Sequence, residues 1–215
     1  MAEITVLPNG PLKVQGDVPL YRRHDIHSEH GEPLAWETTE RLEHGEQYLL
    51  CRCGQSSKKP FCDGAHAIGF DGTEVASGTY ADRSRELGGT GLTVRDDRSI
   101  CVHAGFCGTR VTNVWRQVRL TDESTVRVQV IGMVERCPSG ALTYRFDGDD
   151  VEPLHPEAIG VTDGGPLWVT GGITVRMSDG SEMEARNRVT LCRCGASANK
   201  PLCDGAHRTV GFSDH

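Results

Sequence analysis

The sequence predicts a β-rich α+β protein made of two copies of one small half-fold with a separate unit inserted between them. Three observations carry this. The stretch CRCGQSSKKPFCDGAH at residues 51–66 returns as CRCGASANKPLCDGAH at residues 192–207. The approach to each copy repeats too, since NGPLKVQGDVPLYR at 9–22 resembles GGPLWVTGGITVRM at 164–177. Residues 92–146, between the copies, follow a different pattern. The resulting units are 1–80, 90–147 and 160–215.

Taken along the chain, each outer unit reads as strand, strand, strand, then a ligand loop opening a short helix. Gly10 to Cys51 is 41 positions but Gly165 to Cys192 is 27, so the first copy carries about fourteen extra residues, within HDIHSEHGEPLAWETTERLEHGE. HDIHSEH (24–30) reads as a solvated acidic loop, absent from the second copy. Gly69-Phe70 and Gly211-Phe212 recur after the two motifs. Residues 80–91 and 147–166, rich in Gly, Pro and charge, read as linkers. Between them, LTVRDD is a strand and HAGFCGTRVTNVWRQ a helix. Val126, Val130, Met133 and Val134 mark a second helix, and LTYRF closes with a strand, giving a small β-α-α-β unit.

Composition narrows the function. Apolar residues make up 37 % of the chain, too few for one large core, and small units of this kind are commonly stapled by metals or disulfides. The formal charge of −7 argues against a nucleic-acid binder. No stretch approaches the roughly 18 uninterrupted apolar residues of a spanning helix, and the start lacks a secretory pattern, so a cytoplasmic location away from membranes is expected. The nine cysteines fall into three groups of three. An odd count in a reducing compartment favours metal ligation over disulfides. There is no P-loop, Rossmann fingerprint or nucleophile–base pair, so a catalytic role is not expected.

The repeated motif has the chemistry of a metal site. In extended chain, Cys51 and Cys53 point to one face and can clasp one metal atom with Arg52 turned away. Cys62 and His66, four apart, meet on one helical face, and a helix N-terminus would favour the Cys62 thiolate. A zinc site of three cysteines and one histidine is one reading. Against it, C-x-C is tighter than the usual zinc knuckle, and Ser56, Gly54 and nearby N–H groups could donate to inorganic sulfide. The pattern C-x-C-x2-S-x3-P-x-C-D-G-A-H, met by both copies, resembles the signature of the CDGSH, or NEET, iron–sulfur family, with Ala where Ser is frequent. The resemblance implies a [2Fe–2S] cluster on Cys51, Cys53, Cys62 and His66 and another on Cys192, Cys194, Cys203 and His207. It further implies a NEET-like pseudo-dimer within one chain, a monomer in that sense. No membrane anchor like that of the mitochondrial members is expected, and the chain looks like the soluble prokaryotic ones.

The third group is CVHAGFC (101–107) with ERCPSGAL (135–142). On a ferredoxin frame of C-x2-C-x2-C with a distant Cys-Pro, Cys101, Cys107 and Cys137 occupy three corners and Ala104 stands at the fourth. That predicts [3Fe–4S], or [4Fe–4S] with solvent or a nearby group such as His103 on the fourth iron. The segment resembles divergent single-cluster ferredoxins, in which C-x5-C precedes CPSGAL or CPAGAI. Lys58, Lys59 and Lys200 read as solvated, with offsetting of cluster charge as the alternative. Trp115 and Trp168 read as core residues. The expected function is one-electron transfer or storage between redox partner proteins. The alternatives are cluster donation to apo acceptors or redox and pH sensing, through labile His-ligated clusters, and a structural zinc scaffold.

Overall fold

The computed structural model describes residues 2–214. The first repeat contributes β1 (Glu3–Val6), β2 (Leu12–Gln15), β3 (Leu20–His27), β4 (Pro33–Arg41) and β5 (Gln47–Leu50). The middle segment holds α1 (Tyr80–Arg83), β6 (Arg85–Gly88), β7 (Thr93–Asp96), α2 (Val114–Gln117), α3 (Ser124–Glu135), β8 (Leu142–Phe146) and β9 (Asp149–Val151). The second repeat adds β10 (Ala158–Thr162), β11 (Leu167–Thr170), β12 (Thr174–Arg176), β13 (Arg188–Leu191) and α4 (Ala206–Thr209). The whole is a β-rich α+β fold with few helices.

The two repeats interlock by exchanging their third strands. One sheet runs β12-β1-β2-β5 and the other β13-β11-β10-β3-β4. β12 of the second repeat lies parallel to β1, and β3 of the first lies parallel to β10. Alternation drives this: Ile4, Val6, Leu12, Val14 and Leu50 face inward from one sheet, and Ile159, Val161, Leu167, Val169 and Leu191 from the other. Burying each such side chain contributes about 1.5–3 kcal/mol, and neither half can bury its own set alone.

HDIHSEH (24–30) is not a loop throughout, since residues 24–27 are strand among the extra residues of the first repeat. The extra residues extend β3 and β4 into a long hairpin arm, closed by a turn in which the Ser28 hydroxyl accepts from Glu32 N–H at 3.1 Å. His24 and His27 stand on β3 against Glu37 and Asp25, at 2.9 and 3.2 Å. The arm reaches the middle segment. Trp36 Nε1 donates to the Arg136 carbonyl at 3.0 Å, and its ring lies 5.0 Å from that of Phe106 and 5.2 Å from that of Trp168. Glu32 accepts from Arg110 N–H at 2.7 Å.

The middle segment has its own four-stranded antiparallel sheet, β6-β7-β8-β9, so the expected β-α-α-β unit carries an extra strand at each edge. Its core packs Val94, Val114, Val118, Val130, Val134 and Leu142 together. Residues 103–113 are loop, not helix. His103 and Gly105 take left-handed backbone (φ 57° and 88°), which an α-helix excludes, and Asn113 caps α2 by accepting from Arg116 N–H. The expected linkers are structured as well. Asp147-Gly148, at φ 53° and 93°, turns β8 into β9, and every residue of β10 is buried.

Candidate metal centres

In each repeat the ligand loop sets two pairs of side chains. Cys51 and Cys53 sulfurs are 3.7 Å apart, as are those of Cys192 and Cys194. Cys62 Sγ lies 3.4 Å from His66 Nδ1, and Cys203 Sγ is 3.4 Å from His207 Nδ1. Two thiolates about 2.3 Å from one tetrahedral metal stand roughly 3.8 Å apart, and a thiolate and an imidazole nitrogen slightly closer. Each pair therefore fits one metal atom. Among the described residues, no group of three His, Cys, Asp or Glu side chains is arranged to hold a single ion. The donors of each loop come as two pairs.

Local structure explains the loop. Gly64 and Gly205 adopt φ 92° and 89°, turning the chain from the cysteine to the histidine. Only a single helical turn follows, so Cys62 and Cys203 precede a helix rather than cap one. Asp63 accepts from the Ser57 N–H and hydroxyl, both at 2.8 Å, which holds its carboxyl well below the usual range. The Ser56 hydroxyl is spent on the Phe61 carbonyl at 2.6 Å, and Ser197 on that of Leu202 at 2.7 Å, so neither is free to serve a sulfide. The N–H groups of Gln55, Gly64 and Gly205 instead donate to cysteine sulfurs at 3.4–3.5 Å, which favours the thiolate form of those ligands.

The arginine inside each C-x-C is buried. Arg52 donates to the carbonyls of Leu7, Gly10 and Gly72 at 2.8–2.9 Å, with its guanidinium 5.3 Å from the Phe70 ring centroid. Arg193 donates to Gly165 and Thr162 at 2.7 and 2.6 Å, pairs with Asp214 and lies 4.9 Å from Phe212. These arginines bolt each ligand loop to the first hairpin of its own repeat. Sequence reasoning sent Arg52 away from the metal but assigned it no task; its recurrence with a Gly-Phe downstream was the available signal.

The Cys51–Cys53 and Cys192–Cys194 pairs, the inner ones, stand back to back, with the Cys–His pairs outside them. Cys53 and Cys194 form an antiparallel bridge, and a Cβ on Gly54 or Gly195 would come within 2.5 Å of the carbonyl oxygen of Cys194 or Cys53. The outer pairs differ. Cys62 and His66 are partly exposed, whereas Cys203 and His207 are 1 % and 8 % exposed. Burial pushes the Cys203 thiol up to about 12 and lowers His207. In the Cys192–Cys194 pair one sulfur accepts the other's proton, which lowers Cys192 and raises Cys194.

Cys101, Cys107 and Cys137 line one cavity of about 270 Å³, with Ala104 and His103 also on its wall and Val102, Phe106 and Leu142 supplying apolar surface. Burial raises Cys107 to about 11; it raises Cys101 also, against the opposing His103 N–H. Buried thiols of this kind are protonated in the absence of a cation and must give up protons on binding one. The His103 ring stands against the second motif: a Cβ on Gly205 would lie 2.4 Å from His103 Cδ2. Arg208 donates to the His103 carbonyl. A residue the sequence did not single out, Arg188, joins this unit to the second repeat. Its Nη1 donates to the carbonyls of Val134, Glu135 and Cys137, each at 2.8 Å, and its Nη2 pairs with Glu152 at 2.8 Å.

Paired cysteine and histidine side chains in two loops, with a three-cysteine cavity beside the second, are donors suited to metal, and family comparison supports an iron–sulfur protein. Residues 9–67 and 164–208 match the iron-binding zinc finger CDGSH type, and residues 87–147 match the divergent 4Fe-4S mono-cluster domain. Two regions of the chain thus match the CDGSH type, and a stretch that matches the mono-cluster domain lies between them. No curated protein and no solved structure matches it. Among the described residues, no helix is long and apolar enough to cross a membrane.

Proposed function

We propose that this chain is a one-electron carrier between partner proteins, with a [2Fe–2S] cluster in each CDGSH motif and a [3Fe–4S] or [4Fe–4S] cluster in the inserted domain. Cys51, Cys53, Cys62 and His66 hold the first, and Cys192, Cys194, Cys203 and His207 the second. Cys101, Cys107 and Cys137 hold the third, with Ala104 leaving one corner to solvent or His103. The clusters supply reversible one-electron chemistry with little change of structure. The protein's residues fix the donors, exclude water from the buried sulfurs and join the sites. The observation that carries the reading is this continuity: Cys53 is bridged to Cys194, and the second motif touches the three-cysteine unit through Gly205 and His103. A second reading, donation of a cluster to an apo acceptor, draws support from the partial exposure of Cys62 and His66.

The test is iron, zinc and acid-labile sulfide per chain on protein purified without oxygen. The expected content is about seven iron atoms, or about eight if the inserted domain holds a cubane, with little zinc. Zinc without sulfide would overturn the proposal. About four iron atoms would remove the third site and with it the carrier argument.

A further inference from the structure

The two CDGSH motifs are nearly the same sequence in different surroundings. Around the first, nothing lies within 4 Å of a Cβ placed on Gly64, and Cys62 and His66 reach the surface. Around the second, the equivalent glycine, Gly205, is covered by the His103 ring, and Arg208 grips the His103 backbone. The outlet left to His207 is a groove of about 390 Å³ between arm, inserted domain and second repeat, lined in part by Pro33, Trp36, His103 and Arg208. The arm that holds the inserted domain in place belongs to the first repeat. Pro33 packs 3.2 Å from the position of a Cβ on Gly105, and Trp36 bonds to Arg136 and stacks near Phe106.

We infer that the arm and the inserted domain together form a lid over the second motif, so that the two copies do different jobs. The second keeps its cluster as an interior centre, and the first is the exchange site that faces the partner. This rests on the proposed cluster content. It assigns a purpose to the extra residues of the first repeat: they do not serve their own metal site but close the other one. Trp36 is in this sense a positioning residue, touching no predicted ligand.

The experiment follows cluster loss to an iron chelator by visible absorption and circular dichroism, on protein whose iron and sulfide have first been counted. Two phases are expected from the CDGSH centres, with the slow one about tenfold or more slower, since a lid opening that costs about 1.4 kcal/mol gives that factor. His66→Cys and His207→Cys each alter one centre's spectrum and so assign the phases; the fast phase should carry the His66→Cys change. Trp36→Ala should bring the slow phase toward the fast one and leave the fast phase alone. Trp36→Phe, which keeps the ring but loses the bond to Arg136, should do so to a smaller degree and covers the case in which Trp36→Ala fails to fold. Equal release from both centres, assignment of the slow phase to the first motif, or a slow phase indifferent to both Trp36 variants would overturn the lid while leaving the cluster content intact. A chain that binds no iron and sulfide would remove the proposed function and the lid with it.

Discussion

The sheet of the first repeat and that of the second are built from matching strands and end up differently. β1, β2 and β5 alternate buried and open positions, whereas β10, β11 and β13 are buried at every residue. Position by position, Lys13 corresponds to Trp168 and Gln47 to Arg188, as the matching strand registers require. The first sheet has one face on the core and one in water. The second has its outer face occupied by Trp36 and His155 against Trp168 and by the inserted domain against Arg188. Duplication alone gives two equal sites. The insertion and the arm make them unequal, and the strand residues have changed to suit.

The largest effect should come from breaking the one place where that difference is densest. Arg188→Ala strands the carbonyls of Val134, Glu135, Cys137 and Leu142 and leaves Glu152 only its longer contact with Arg186, at 3.5 Å. The expected loss is about 3–5 kcal/mol, read by denaturant melts. Gln47→Ala, at the matching exposed position, should stay within about 0.5 kcal/mol. Similar losses in the two variants would mean that the sheets are not energetically distinct.

A smaller contrast lies in the motif glycines. Both Gly64 and Gly205 have positive φ, so alanine costs each about 1 kcal/mol in backbone strain. Only at Gly205 does the new methyl also meet His103, and the overpacking should add about 1–3 kcal/mol. The difference in melting midpoint between Gly205→Ala and Gly64→Ala isolates the contact with the inserted domain. Equal midpoints would deny it.

The smallest effect concerns acid. Burial alone would raise Asp214, but Arg193 and the Gly164 N–H more than offset it, and the carboxyl sits below its usual value. A depressed carboxyl contributes stability above its unfolded pKa, about 3.9, and loses it as pH falls through the lower folded value. Asp214→Asn should therefore melt lower than the parent at neutral pH, with the gap closing below about pH 4. Arg52 has Glu74 at 3.9 Å in place of so close a partner, so Glu74→Gln should lower the melting midpoint at neutral pH by less than Asp214→Asn does.

Much of this was written in the sequence at short range. The repeat, the pairing of Cys51 with Cys53 and the helix through Val130 and Val134 depend on local spacing, and side chains two or four apart meet wherever the chain is extended or helical. What escaped depends on partners far away in sequence. β10 hid among glycines and prolines because its burial comes from β3 and β11, more than a hundred residues away in the first case. HDIHSEH read as solvated because its charges are real, while Trp36 and Pro33 take meaning from the inserted domain and, for Trp36, from Trp168. His103 drew notice as a neighbour of the empty corner. Its contact with Gly205, a hundred positions on, left no local trace.

The exchanged strands also bear on how such a chain is made. While the ribosome has released only the first repeat and the inserted domain, β1 and β3 have bare edges, because β12 and β10 have yet to be synthesised. Unpaired edges invite pairing with other chains. The arm lengthens that exposed edge on β3, yet it also carries the contacts to the inserted domain, which folds from nearer neighbours. Until the second repeat is made, the contacts of Trp36 and Glu32 with the inserted domain are those the arm has available.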